Sequence, residues 1–167
     1  MNKAKVGASI LAILLPFLAL HEGVFKKAYR DPIGIPTICM GSTGNVKMGH
    51  VATQEECDQR SEVDIQEAYS VFNKHVPTRV HENMSDKQVA AFVSFIFNVG
   101  PGKKGVKDGF VVLKSGRQST MLTNLKAGRI EKACYNLLDW TSAGGVKLRG
   151  LVNRRNEELK LCLSTTN

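Results

Sequence analysis

Two carboxylates and a hydroxyl stand out in this chain. Glu22 sits at the foot of the apolar run "LAILLPFLAL", Asp31 follows nine positions later within "RDPIGIPT", and Thr37 comes six further on. Cleaving a glycosidic bond takes one carboxylic acid to protonate the leaving oxygen and a second group to activate water or attack directly. The two must face each other across a cleft, so they come from different local elements. Glu22 near a helix end and Asp31 in the following turn meet that condition, and Thr37 at the start of the next strand offers a hydroxyl to hold a water beside Asp31. Apolar surroundings favour the neutral, proton-donating form of Glu22, while a polar turn keeps Asp31 ionised. Ordinary surface charges satisfy the same spacing, so the pattern alone defines candidates rather than a site.

The elements that must position these groups follow from periodicity and punctuation. Residues 9–29 read as one helix running into Tyr29, kinked or interrupted at Pro16. "RDPIGIPT" is a turn, and "IPTICMGSTGNVKMGH" a small β-hairpin or meander. Thr53 and Glu56 have capping-box spacing at the start of a partly amphipathic helix that Pro77 stops. Ser85 and Gln88 form a second capping box ahead of "VAAFVSFIFNV", expected to be the most apolar helix in the chain and its central core helix, ended by Gly100 and Gly102. Residues 101–118 read as an irregular connection with a short apolar turn at "FVVL", either a surface loop or an extra flap near the cleft. "STMLTNLKAG", "RIEKACYNLLDW" and "RGLVNRRNEELKLCL" read as three further helices, the second ending at the "SAGG" loop. Trp140 and Phe97 are expected as core aromatics. Of Arg154 and Arg155, one is expected to pair with a carboxylate and the other to face solvent. A small β-rich part followed by about five helices is an α+β arrangement.

Size and charge bound the partners. The chain of 167 residues is one ordinary domain, with net charge +8 and a pI near 9.5. Such a surface suits an anionic polymer or an anionic lipid surface. Nucleic acid is not expected, because no helix gathers the basic residues into a groove-sized stripe. Cys39, Cys57, Cys134 and Cys162 show no CxxC, and the histidines make no HExxH pattern, so neither a metal nor another cofactor is expected. The four cysteines fit two disulfides in an oxidising compartment or four buried thiols. At the N-terminus, "MNKAK" precedes an uncharged run over residues 6–20 that is short for a comfortable membrane span. It fits either an uncleaved export segment, oriented by its lysines, or a buried core helix.

"HEG", "AYRDPIGIPTIC" and "GSTG" together resemble the phage-type lysozymes, the muramidases of glycoside hydrolase family 24. "VAAFVSFIFNVGPG", "STMLTNLKAG", "DWTSAGG" and "GLVNRRNEELKLCL" follow in the same order as that family's later helices. The resemblance implies a lysozyme-like fold, a hairpin lobe and a helical lobe with the cleft between them. It implies hydrolysis of the β-1,4 bond between N-acetylmuramic acid and N-acetylglucosamine in peptidoglycan, with Glu22 as general acid, Asp31 as general base and Thr37 positioning the water. Inversion is the expected stereochemical outcome. A departure stands at Gly41–Gly44, where the family commonly has G-H-T-G and this chain has Ser42. The apolar run resembles a signal-arrest-release segment, a weak span that first tethers the enzyme and later leaves the bilayer. Residues 1–20 are then that segment, continuing into the first helix, and residues 21–167 the enzymatic domain. The expected partners are glycan strands and, transiently, the bacterial inner membrane, for a monomer that is membrane-tethered and then periplasmic. A non-enzymatic module binding wall or membrane is the alternative.

The order of elements also predicts the cysteine pairing among the three possible connectivities. Cys39 follows Thr37 on its strand and Cys57 lies in the first turn of the helix packed on that sheet, while Cys134 and Cys162 lie on neighbouring C-terminal helices. Cys39–Cys57 and Cys134–Cys162 are the expected bonds.

Overall fold

The computed structural model describes residues 5–31 and 34–164. Lys3 of the basic start and Pro32 and Ile33 of the expected turn lie outside them. Helix α1 (Ala8–Glu22) takes up the apolar N-terminal run and turns Ile10, Leu14 and Leu18, spaced by four, into the core. Pro16 lies inside it without ending it. The helix does not reach Tyr29. Gly23 takes φ +71°, its N–H closes on the Ala19 carbonyl, and the chain leaves as strand β1 (Phe25–Arg30). The left-handed conformation that glycine allows is what separates Glu22 from the strand.

β1 pairs antiparallel with β2 (Pro36–Cys39), Tyr29 opposite Thr37 and Phe25 opposite Cys39 with an irregularity between. Residues 50–52 flank the other edge of β1, the Ala28 N–H donating to His50 O and the Ala52 N–H to Lys26 O. Ala28, Ile38, Cys39, Ala52 and Cys57 form a small core of their own under this lobe. Helix α2 (Gln54–His75) begins as expected at Thr53, whose hydroxyl accepts the Glu56 N–H. The Glu56 carboxylate, however, turns to His50 and Arg60. Glu56, Arg60 and Asp64, spaced by four along α2, each hold the lobe: Glu56 through His50, Arg60 through the Gly44 carbonyl (2.8 Å), and Asp64 by accepting from Ser42 Oγ (2.5 Å). The Cys39–Cys57 disulfide bonds the same two elements covalently.

Pro77 stops α2 and also opens a single helical turn, α3 (Thr78–His81). Helix α4 (Asp86–Val99) starts on the complete Ser85/Gln88 capping box and buries every residue from Val89 to Ile96. As expected for a helix apolar on nearly all faces, it is the centre against which α1, α2 and the last helix pack. Phe72, Phe92, Phe95 and Phe110 meet in stacked and edge-on contacts around it. Helices α5 (Thr120–Lys126) and α6 (Ile130–Tyr135) follow, the latter tightening into a 3₁₀ turn at Asn136–Asp139 rather than continuing to Trp140. The expected "SAGG" loop is the tip of a second hairpin, β3 (Ser142–Ala143) with β4 (Val146–Lys147). Gly144 and Gly145 both have positive φ, as a two-residue hairpin loop needs. Helix α7 (Arg149–Leu163) closes the fold and is bonded to α6 through Cys134–Cys162. Both disulfides are those expected from the sequence.

Since α1 is part of the main core, trimming it should behave like any core deletion. Leu14→Ala should lower unfolding free energy by roughly 2–5 kcal/mol in a urea titration. A loss under about 1 kcal/mol would mean that α1 rests on the surface.

Candidate active site

Glu22 is the last residue of α1, and the Gly23 turn leaves its side chain about a quarter exposed at the junction of the two lobes. Its carboxylate accepts from Arg154 Nη1 of α7. Arg154 is one of two buried arginines on that helix, and neither faces solvent. Both converge on Glu158, which is fully buried: Arg154 Nε donates to Oε1 (3.1 Å), Arg155 Nη1 to Oε2, and Ser94 Oγ of α4 to Oε1 (2.8 Å). Arg155 also donates to the Asn98 carboxamide oxygen and the Trp140 carbonyl, with its guanidinium 4.9 Å from the Phe95 ring centroid. The expectation of one paired and one exposed arginine is thus corrected. Glu158 sits four residues after Arg154 and three after Arg155, so one buried carboxylate engages both. A charge this deep persists only when paired and hydrogen-bonded.

The apolar run that leads to Glu22 therefore ends against a guanidinium. Arg154 has one partner at the cleft and another in the core, which locks the orientation in which it holds Glu22. Beyond Glu22 opens a cleft of about 770 Å³ whose walls include Gly41, Ser42, Asp64, Glu67 and Phe97. Phe97 is partly buried against the core, as expected, and also lines this cleft; Trp140 packs edge-on against Phe95. Ser42, at the position where the chain departs from G-H-T-G, bonds to Asp64 across the cleft wall and so links the hairpin lobe to α2.

Asp31 and Thr37 lie on the adjoining hairpin and not among the residues lining that cleft. They are fixed through a shared residue, Ile35. Asp31 Oδ1 accepts the Ile35 N–H (2.8 Å), and the buried Thr37 hydroxyl donates to the Ile35 carbonyl (3.0 Å). A second bond from Asp31 N–H to Ile35 O and one from Arg30 Nη1 to Gly34 O brace the same turn. With its proton committed to Ile35, the Thr37 hydroxyl keeps lone pairs with which to accept from a water. Among the described residues, no cluster of histidine, cysteine or carboxylate side chains is arranged to hold a metal.

The sequence reading missed the burial of both arginines, Glu158 as their shared partner and the Ser42–Asp64 link. The i,i+3 and i,i+4 spacing within "RRNEE" was a signal for the first two; the third joins residues 22 positions apart and has no local one.

His21, beside Glu22, packs against Phe17 with ring centroids 4.6 Å apart and planes tilted by 49°, and its Nε2 is buried without a hydrogen-bond partner among the described residues. Burial, then Arg154, lowers its pKa below the ordinary 6.5, against the opposing pull of Glu158, Glu157 and Glu22. His75 and His81 are also lowered, first by burial. A lowered histidine binds its proton more weakly in the folded state, so its stability contribution is intact above the unfolded value and is lost as pH falls through the folded one. Urea midpoints should thus drop between about pH 7 and about pH 5, and His21→Phe should flatten that slope. An unchanged slope would disconnect His21 from folding. For the ion network, Glu158→Ala should cost roughly 3–5 kcal/mol by leaving the buried Arg155 without a carboxylate and Arg154 with Glu22 alone, read from urea unfolding.

The family model for phage lysozyme matches residues 19–158 of the chain. The SAR-endolysin of Pseudomonas phage phiKMV is 36% identical over 167 residues, covering 98% of this chain and 93% of the relative. The SAR-endolysin of Enterobacteria phage P21 is 32% identical, covering 85% and 77%. Among solved structures, the active form of the P1 phage endolysin Lyz superposes with a TM-score of 0.77 at 26% identity, covering 96% of this chain and 85% of that one. With the hairpin lobe, the helical lobe and the cleft between them, the chain belongs to the phage lysozyme family.

Proposed function

We propose that this protein is an endolysin that hydrolyses the β-1,4 bond between N-acetylmuramic acid and N-acetylglucosamine in peptidoglycan to lyse the host cell. The observation that carries the reading is Glu22, held by Arg154 at the edge of a cleft between two lobes and followed by a hairpin bearing Asp31 and Thr37. Glu22 acts as general acid on the glycosidic oxygen, Asp31 as general base on the attacking water, and Thr37 accepts from that water to hold it in line. Attack by water on the face opposite the leaving group inverts the anomeric centre. No cofactor takes part. A purely non-enzymatic wall or membrane binder gains no support from a paired, oriented carboxylate at a cleft.

The N-terminal segment is read as a signal-arrest-release device. Residues 1–20 tether the exported chain to the inner membrane, and residues 21–167 work in the periplasm as a monomer once that segment has left the bilayer. Supporting this, α1 buries Ile10, Leu14 and Leu18 in the same core that positions Arg154, and its final residue is Glu22. Embedded in lipid, that helix cannot also pack on α4, and Glu22 is then out of register with Arg154. Among the described residues no helix is long and apolar enough to cross a membrane, α1 being 15 residues long. A marginal span of this kind leaves more readily than a full-length one.

Glu22→Gln should abolish lysis of outer-membrane-permeabilised cells in a turbidity assay while the protein still folds; lysis persisting at the wild-type rate would leave only the non-enzymatic reading. Thr37→Val should lower turnover by on the order of 10²-fold, with a much smaller effect on glycan binding. Changing Gly7, Ala8 and Ser9 to leucine should strengthen the span, retain the protein in the membrane fraction and slow lysis. Recovery of the native protein from cytosol alone would rule out the export pathway.

A further inference from the structure

We propose that residues 101–118, between α4 and α5, form a binding site for the carboxylates of the peptide stems that peptidoglycan carries on its muramic acid residues, an inference that rests on the muramidase reading. Between Lys103 and Arg117 the chain exposes five cationic side chains, Lys103, Lys104, Lys107, Lys114 and Arg117, against a single carboxylate, Asp108. Asp108 is occupied locally, its Oδ1 accepting the Lys114 N–H at 2.6 Å. Among the described residues, the ion pairs of the fold involve none of these five cations.

A solvated charge run would be mobile, but this one is built rigidly. Two tight turns lie side by side, joined by Gly105 N–H to Lys114 O (2.8 Å) and closed by Lys107 N–H to Lys103 O and Leu113 N–H to Arg117 O. The Phe110 and Val111 N–H groups tie the segment back to Gly100 O and Pro101 O, and the Phe110 side chain is fully buried between Phe72 and Phe95. Backbones at Gly102 and Gly109 approach so closely that a Cβ on Gly102 would lie 2.0 Å from Val112 O. The aliphatic stem of Lys104 packs over Gly116. Binding therefore has only the side chains to order and not the backbone that carries them, as it would in a loose loop.

Position selects the ligand. Pro101, which begins the segment, and Gly100 just before it line the cleft beside Phe97 and Asn98. A glycan strand lying in that cleft projects its stems outward over the rim, and their acidic residues and terminal carboxyl groups meet the lysines there. An anionic bilayer offers the same charge, but the double turn has nothing suited to entering one. Its aromatic residue, Phe110, points inward, and Val106 is its one large apolar side chain with most of its surface exposed.

The test measures binding in a Glu22→Gln background, so that hydrolysis does not consume the probe. Soluble glycan strands with intact stems are compared with strands stripped by an amidase, in about 0.1 M salt where surface charge still acts. K103Q/K104Q/K114Q should weaken binding to stem-bearing strands about tenfold and to stripped strands by less than about twofold, with the corresponding arginine triple restoring it. If the glutamine triple fails to fold, K103Q and K114Q singly should each show about two- to threefold of the same selective loss. Equal weakening on both strands overturns the proposal, as does an unchanged affinity for stem-bearing strands. Selective loss of binding to phosphatidylglycerol vesicles, with strands unaffected, would assign the segment to the membrane instead and also overturn it. Release of reducing ends by the wild-type chain from stripped strands tests the muramidase reading separately.

Discussion

The fold turns on a single buried carboxylate. Glu158 is removed from water at the meeting of α4 and α7, and such a charge is tolerable only with its lone pairs filled by strong donors. Ser94 and two consecutive arginines fill them. Arg155 spends its remaining donors on Asn98 and Trp140, tying α7 to the end of α4 and to the start of the second hairpin. Arg154 spends one on Glu22. The cost of burying Glu158 is thus converted into the orientation of a guanidinium, and that orientation into the placement of the carboxylate assigned to acid catalysis.

Two opposite demands meet in α1. An apolar run can serve a bilayer or a protein core, and on the proposed reading the same residues serve both in turn. In the fold, Ile10, Leu14 and Leu18 are satisfied by the aromatic core around α4. The helix has a defined end because Gly23 adopts a conformation costly for other residues, and that end carries Glu22 to α7. On that reading, coupling activity to location needs no separate inhibitor, because a helix held in lipid would withhold both a core element and the carboxylate proposed as the acid. The clips from α2 to the hairpin lobe through His50, Gly44 and Ser42, with the Cys39–Cys57 bond, belong to the part of the fold that does not need to move.

Much of this was legible in the sequence where local rules decide. The Ser85/Gln88 capping box, the apolar stretch of α4 and the cysteine pairings follow from spacing and element order alone. The end of α1 was misplaced because residues 24–29 continue a pattern compatible with a helix, and one glycine outweighs it. The "SAGG" hairpin was hidden by strands of two residues, too short for alternation to register, although consecutive glycines at its tip carried the signal. Of Arg154 and Arg155 the sequence suggests one paired and one exposed, since charge on a polar helix favours solvent; only the tertiary demand of Glu158 brings both inside. Glu22, Asp31 and Thr37 were named from motif, and the fold adds the partners that hold each of them.

The claim on which the rest stands is that the active enzyme carries α1 docked in its core. Amide hydrogen exchange on the released, detergent-free protein, with lytic activity measured on the same sample, tests this most directly. The account predicts that amides of residues 12–22 with helical partners, Pro16 aside, are protected to nearly the level of α4, because both then open only with global unfolding. Rapid exchange throughout α1 in a fully active sample would contradict it.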